Sequence, residues 1–161
     1  MSNTEQTPGE AWRAFCAKLA DIGELVLDPD NPSGPVDQAE GFRYLTRLLR
    51  LGLEQNLEAR DPAFPFFYQM SHTTAKIGAD NPDNVYWNTR ISGEYEYRIT
   101  VRRGTMPYLS FLSNAWRYEQ DGTNVGTGKL IDSEIEWDAD GTAQIIASTT
   151  PQPRNWLPLA K

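Results

Sequence analysis

The side chains best suited to acid–base or binding chemistry in this chain lie in a short central stretch. His72 is its one histidine. Imidazole changes charge near neutral pH, so it can act as a general base. Ser71 and Thr73 flank it without forming a nucleophile elbow, and a lone histidine serves equally well as a structural or exposed residue. The loop Asp80-Asn81-Pro82-Asp83-Asn84 follows, with four polar side chains in five positions. Asn and Asp side chains in such a loop bond their own backbone and stabilise turns. The alternative is a carboxylate that projects into a pocket and binds a hydroxyl, an amine or a cation. The spacing is not that of an EF-hand calcium loop.

This loop runs into two aromatic, β-branched segments, Val85–Ile91 and Glu94–Val101, punctuated by Ser92-Gly93. Strand alternation would place Tyr86, Asn88 and Arg90 on one face, and Trp87, Thr89 and Ile91 on the other. In the second segment Tyr95, Tyr97, Ile99 and Val101 alternate with Glu94, Glu96, Arg98 and Thr100. One sheet face is then aromatic, and the other carries a ladder of Glu96, Arg98, Asn88 and Arg90. Such a ladder is either a solvated face with cross-strand ion pairs or the lining of a cavity that recognises carboxylates and hydroxyls. Glu134 and Glu136 form a further acidic pair, of the kind that faces water on an alternating strand. Just upstream, Asp61-Pro62-Ala63-Phe64-Pro65-Phe66-Phe67-Tyr68 combines two prolines with four aromatics. Proline disfavours a helix there, which leaves a hydrophobic strap across a core or the wall of a pocket.

The elements that must position these residues are predicted from periodicity and caps. Thr7-Pro8-Gly9-Glu10 reads as a capping box, and Trp12, Phe15, Leu19, Ile22 and Val26 follow at helical spacing. The proline-rich run Asp28–Pro35 must end that helix. Asp37 and Glu40 signal a second helix, with Phe42, Leu45, Leu49, Leu53 and Leu57 on its apolar face as far as about Ala59. Both stripes contain large residues that need a partner surface, so Leu49→Ala should cost about 2–5 kcal/mol if that site is fully buried. Beyond Val85–Ile91 and Glu94–Val101, strands are expected at Tyr108–Leu112, Lys129–Trp137 and Thr142–Ser148. Their order predicts an α+β protein: a helical N-terminal extension over residues 1–62, then an antiparallel jelly-roll-like β-sandwich over 63–161, packed as one unit.

Composition narrows the function classes. A chain of 161 residues can bury most of its apolar surface without a disulfide or metal staple. A net charge of −7 opposes a nucleic-acid surface. Cys16 has no second cysteine to pair with, and one cysteine with one histidine does not make a zinc site, so no metal is expected. No apolar run reaches the roughly 18 residues of a membrane span, and the N-terminus lacks a secretory pattern, which points to the cytoplasm. The glycine-rich run Gly122–Gly128 lacks the context of a phosphate loop, and no cofactor is expected.

Several of these segments together resemble the bacterial family called domain of unknown function 1214. They are Lys76–Tyr86, Arg90-Ile91, Tyr95–Ile99, Gly104-Thr105, Tyr108–Phe111 and Pro153–Leu157, with Glu40–Leu45 similar to actinobacterial members. The likeness covers most of residues 10–158 and implies a jelly-roll-like antiparallel β domain with helical additions. It implies no catalytic residue. Family members run past the Asn155-Trp156-Leu157 segment with further strands. The expectation is therefore a truncated form, or missing C-terminal strands supplied by another copy or a second chain. Trp156, Leu157 and Leu159 would be costly to leave in water, at about 25 cal/mol per Å² of apolar surface.

Three functions fit these observations. The first is a cytoplasmic domain that binds a small, partly apolar molecule through Asn81, Asn84, Asn88, Arg90, Phe66 and Phe67, with Asp80–Tyr86 at the mouth of a pocket. The second is a hydrolase, lyase or isomerase that draws its acids and bases from His72, Asp80, Asp83, Tyr86 and Arg98. The third is a non-catalytic subunit of a larger assembly.

Overall fold

A computed structural model of the chain describes residues 6–78, 80–118 and 120–161. The class is α+β. Helix α1 spans Pro8–Glu24 and opens with the expected capping box. Thr7 Oγ1 accepts from the Glu10 N–H at 3.4 Å, and the Glu10 carboxylate accepts from the Thr7 N–H at 2.9 Å. A short 3-10 turn, Leu25–Leu27, ends it, and the Asn31 amide donates to the Leu25 carbonyl at 2.7 Å. Helix α2 spans Pro35–Leu53 and passes into a π-helical turn, Glu54–Glu58, so the apolar face ends near Ala59 as the periodicity requires.

Five strands follow: β1 Tyr97–Arg102, β2 Ser110–Arg117, β3 Thr123–Ile131, β4 Thr142–Ser148 and β5 Trp156–Pro158. They form a three-stranded sheet in the order β1-β4-β5 and a separate β2–β3 hairpin. β1 and β4 are antiparallel, whereas β5 runs parallel to β4, so the larger sheet is mixed. A parallel neighbour normally needs a long crossover. Here β5 is only three residues long, and the short stretch after Ser148 suffices to bring the chain back.

The strand expectations differ from the structure in several places: β1 begins at Tyr97 rather than Glu94, and β2 runs over Ser110–Arg117 rather than Tyr108–Leu112. Val85–Ile91 is not a strand; its β pairing among the described residues is an isolated bridge between Asn88 and Tyr68. A strand without a continuous partner does not form, and one isolated bridge supplies none. The segment from Lys129 leaves β structure at Ile131 for a 3-10 turn, Asp132–Glu134, so Glu134 and Glu136 lie outside any strand. Conversely, the glycine-rich run begins β3. Gly128 is required there, because an added Cβ would lie 2.6 Å from the Pro158 carbonyl oxygen.

The chain divides into two compact units. The first holds the described residues up to Ala59 together with Phe67–Asn88; the second holds Arg60–Phe66 and Thr89–Lys161. In the second unit Leu130, Ile135, Ala143, Ile145, Ala147 and Leu157 form a buried core, with Tyr97, Ile99, Phe111 and Trp137 packed against it. The strap's Pro62 carbonyl accepts from the Tyr97 hydroxyl at 2.9 Å, which fixes Arg60–Phe66 to this unit. Gly93 lies where an added Cβ would clash with the Ala160 carbonyl oxygen. The helices of the first unit are far more open than their stripes suggest. Of their residues only Leu51 is buried, Trp12 is 66% exposed, and Leu49 is half-buried, so Leu49→Ala falls below the range for a full core deletion.

Asn155 is buried to 7% exposure and adopts φ 46°, the left-handed region that Asn tolerates better than most residues. Its side-chain oxygen accepts from the Glu136 N–H at 2.8 Å. Its amide donates to the carbonyls of Glu136 at 3.0 Å and Gln144 at 3.1 Å. Replacing Asn155 with alanine strips these buried backbone groups of a partner and should cost about 3 kcal/mol. Asn155→Asp keeps an acceptor but loses both donors, so it should also destabilise. Urea unfolding of both variants checks this, and midpoints equal to that of the wild type would contradict it.

Candidate functional site

The first unit contains a cleft of about 290 Å³ lined by Glu54, Phe67, Tyr68, Gln69, His72 and Trp87. Each wall has a local cause. The π-helical turn after α2 carries Glu54, and such turns are frequent at functional sites. The end of the aromatic strap supplies Phe67 and Tyr68. The Tyr68 backbone is held by reciprocal bonds with Asn88, at 2.9 and 2.8 Å, and the same bridge places Trp87 beside the strap. His72 lies at the start of a tight turn in which its N–H donates to the Ala75 carbonyl at 2.9 Å and its own carbonyl accepts from the Ala75 N–H at 3.1 Å. Ala75 is fully buried beneath that turn.

The His72 ring is oriented from both sides. Arg50, on α2, lies 2.9 Å from Nε2. A guanidinium has donors only, so Nε2 must accept. A neutral ring then carries its proton on Nδ1, which faces the Thr74 hydroxyl at 3.4 Å. Both ring nitrogens are thus committed to protein partners, and the imidazole presents a fixed face to the cleft. Glu54 and Gln69 supply the other polar groups, and Phe67 and Trp87 border a lining that is mostly polar.

Of the sequence-based candidates, this cleft gathers His72 and Phe67. Asp80 lies elsewhere in the first unit and pairs with Lys76 at 2.9 Å. That hydrogen bond, partly opposed by desolvation, holds the Asp80 carboxyl below the usual range. Asn81 makes the Asx turn, its side-chain oxygen accepting from the Asp83 N–H at 3.0 Å. The Asn84 amide donates to the Tyr86 hydroxyl at 3.2 Å, and Asp83 is exposed. Asn88 contributes through its backbone. None of Asp80–Tyr86 lines this cleft. Arg90, Arg98 and Phe66 belong to the second unit, where Arg98 projects from the exposed positions of β1. The proposed polar ladder needs Val85–Ile91 to be a strand, and it is not one. Glu96 instead accepts from the Gln152 amide at 2.9 Å.

Glu54, Gln69 and Trp87 are not site candidates in the sequence, whereas Tyr68 belongs to an aromatic run that the sequence offers as a pocket wall. The aromatic run Phe64–Tyr68 was the usable signal, because one of its two interpretations was a pocket wall. Glu54 carried none, since an acid on a helix normally decorates the solvent face. Among the described residues, no cluster of His, Cys, Asp or Glu side chains is arranged to hold a metal ion, and no helix is long and apolar enough to cross a membrane.

No family model matches this chain, and no curated protein matches it. A crystal structure of an uncharacterized protein from Burkholderia cenocepacia is similar, at 47% sequence identity and a TM-score of 0.86 over 94% of this chain. The chain spans 42% of the length of that protein.

The Asp80 pair makes a sign-defined prediction. Lys76 favours the carboxylate in the native state, so the pair's contribution is present above the ordinary carboxylate range and is lost as pH falls through the lowered native value. In Lys76→Gln the Asp80 titration should move upward, as read from side-chain carboxyl NMR shifts. An unmoved titration would show that Lys76 is not the cause.

Proposed function

We propose that this protein binds a small molecule with a flat apolar body and a hydrogen-bond donor, seated in the Glu54–Phe67–His72–Trp87 cleft. The observation that carries this is the convergence of two aromatic side chains with Glu54, Gln69 and an oriented imidazole in one concavity. Sites for small ligands combine apolar walls with a few placed polar groups. Glu54 and the Gln69 carbonyl can accept from an amine or hydroxyl, while Phe67 and Trp87 cover a ring. Binding stands ahead of acid–base catalysis because the His72 Nε2 lone pair is directed at Arg50.

Around this reading we place the expectations from sequence. Membership of the domain of unknown function 1214 family rests on the Lys76–Tyr86 and Pro153–Leu157 segments. A jelly-roll-like sandwich is the finer form of the α+β class, to which β1–β5 would contribute part. Residence in the cytoplasm follows from the same sequence features as before. A second copy, or a second chain that supplies further C-terminal strands, adds by strand pairing near the C-terminal β5, an outer strand of its sheet. Sedimentation at micromolar concentration tests that association, and a strict monomer with no added partner would contradict the homo-oligomer.

Tyramine and other aryl amines and alcohols are suitable probes for the cleft. Saturation at about a hundred times Kd should stabilise the native state by about 2.7 kcal/mol. Trp87 is 61% exposed, so Trp87→Ala should leave the melting temperature nearly unchanged while weakening binding about tenfold. A melting temperature unmoved by any such probe, or equal responses from Trp87→Ala and the wild type, would sink the proposal.

A further inference from the structure

We infer that the groove between α1 and α2 is a docking surface for a basic, amphipathic helix of a partner protein. The two helices approach closely at one place. A Cβ added to Gly23 would lie 3.6 Å from the Phe42 ring, and one added to Gly41 would collide with the Val26 side chain. Away from that crossing the stripes stay open. No residue of α1 is buried, and Leu25, in the turn after it, is 63% exposed. The opening is a groove of about 520 Å³ whose floor includes Ile22, Leu25, Val26, Leu45 and Leu48. Its apolar floor suits the apolar face of a helix.

Charge selects the occupant. From Leu19 to Phe42 the sequence carries Asp21, Glu24, Asp28, Asp30, Asp37 and Glu40, with no Lys, Arg or His. Asp37 and Glu40 line the groove itself. Arg43 pairs with Glu40, which leaves the segment still strongly acidic. A second copy docked about a two-fold axis would bring this acidic border against itself, a juxtaposition that costs association energy. An anionic membrane surface is repelled for the same reason. A helix with an apolar stripe flanked by lysine or arginine satisfies both the floor and the border.

The test uses the full chain and two labelled helical peptides of about five turns each, one Leu/Lys and one Leu/Glu, read by fluorescence anisotropy. The Leu/Lys peptide should bind at micromolar concentration, about tenfold or more tighter than its acidic counterpart, and weaken with added salt. Leu25→Ser should weaken it about tenfold, and Glu24→Gln combined with Asp37→Asn should reduce its salt dependence, with circular dichroism melting unchanged in both variants. Equal binding of the two peptides would overturn the inference. So would a Leu25→Ser variant that binds as well as the wild type, since attraction to general acidity is blind to the groove floor. Self-association of the chain that is abolished by Leu25→Ser would assign the groove to a second copy instead.

Discussion

A buried side-chain amide closes the β unit. The Asn155 side chain bonds the backbone of Glu136 in both directions and reaches the Gln144 carbonyl, while its own backbone carbonyl accepts from the Ile146 N–H at 3.0 Å. Buried backbone groups must find partners. Here one residue in the left-handed region turns the chain so that Trp156–Pro158 can lie beside β4, and it also satisfies the irregular segment after the 3-10 turn. Leu157 then enters the core, and the Trp156 indole donates to the Ser148 carbonyl at 3.1 Å. Arg154 reinforces the corner from outside, pairing with Glu136 and Asp138 at 3.1 and 3.0 Å. Those ion pairs are largely exposed and contribute little beside the amide.

The strap of residues 61–68 serves each unit in a different way. Its proline-rich first half carries the carbonyl that receives the Tyr97 hydroxyl, a group whose pKa is raised by burial. Its aromatic second half builds the cleft of the first unit. Proline suits this role because it fixes an extended backbone without demanding donors. Val85–Ile91 has an isolated bridge and no ladder, so its residues follow loop geometry rather than strand alternation.

Local polar chemistry sets many of the turns. Asp28, Asp61, Asn81, Asp121 and Asp140 each accept from the N–H two residues on, at 2.9 to 3.0 Å. The Asx groups of the Asp80–Asn84 loop are therefore partly absorbed in holding backbone, and the chemistry passes to side chains that converge from α2, the strap and the His72 turn. Six of the carboxylates fall between Asp21 and Glu40, four on the two helices and two in the loop that joins them, which makes this stretch of the chain acidic.

Short-range rules made several features readable from the sequence alone. The capping box at Thr7, the break at Asp28–Pro35, the length of the second helix, the Asx turn at Asn81 and the bounds of β4 all follow from residues within a turn or two of each other. The α+β class follows from the change from helical to strand composition, which the sequence places at Val85 and the structure at Tyr97. Tertiary structure decided the rest. Val85–Ile91 has strand composition but lacks a strand partner, and β3 needs a glycine at position 128 because Pro158 approaches it. The three residues of β5 are too few to show a pattern. Exposure of the helical stripes was equally hidden, since periodicity shows which face is apolar but not whether anything covers it. The cleft brings Glu54, His72 and Trp87 together from distant positions in the chain. No spacing rule can report that meeting, because the backbone path between them is set by long-range bonds.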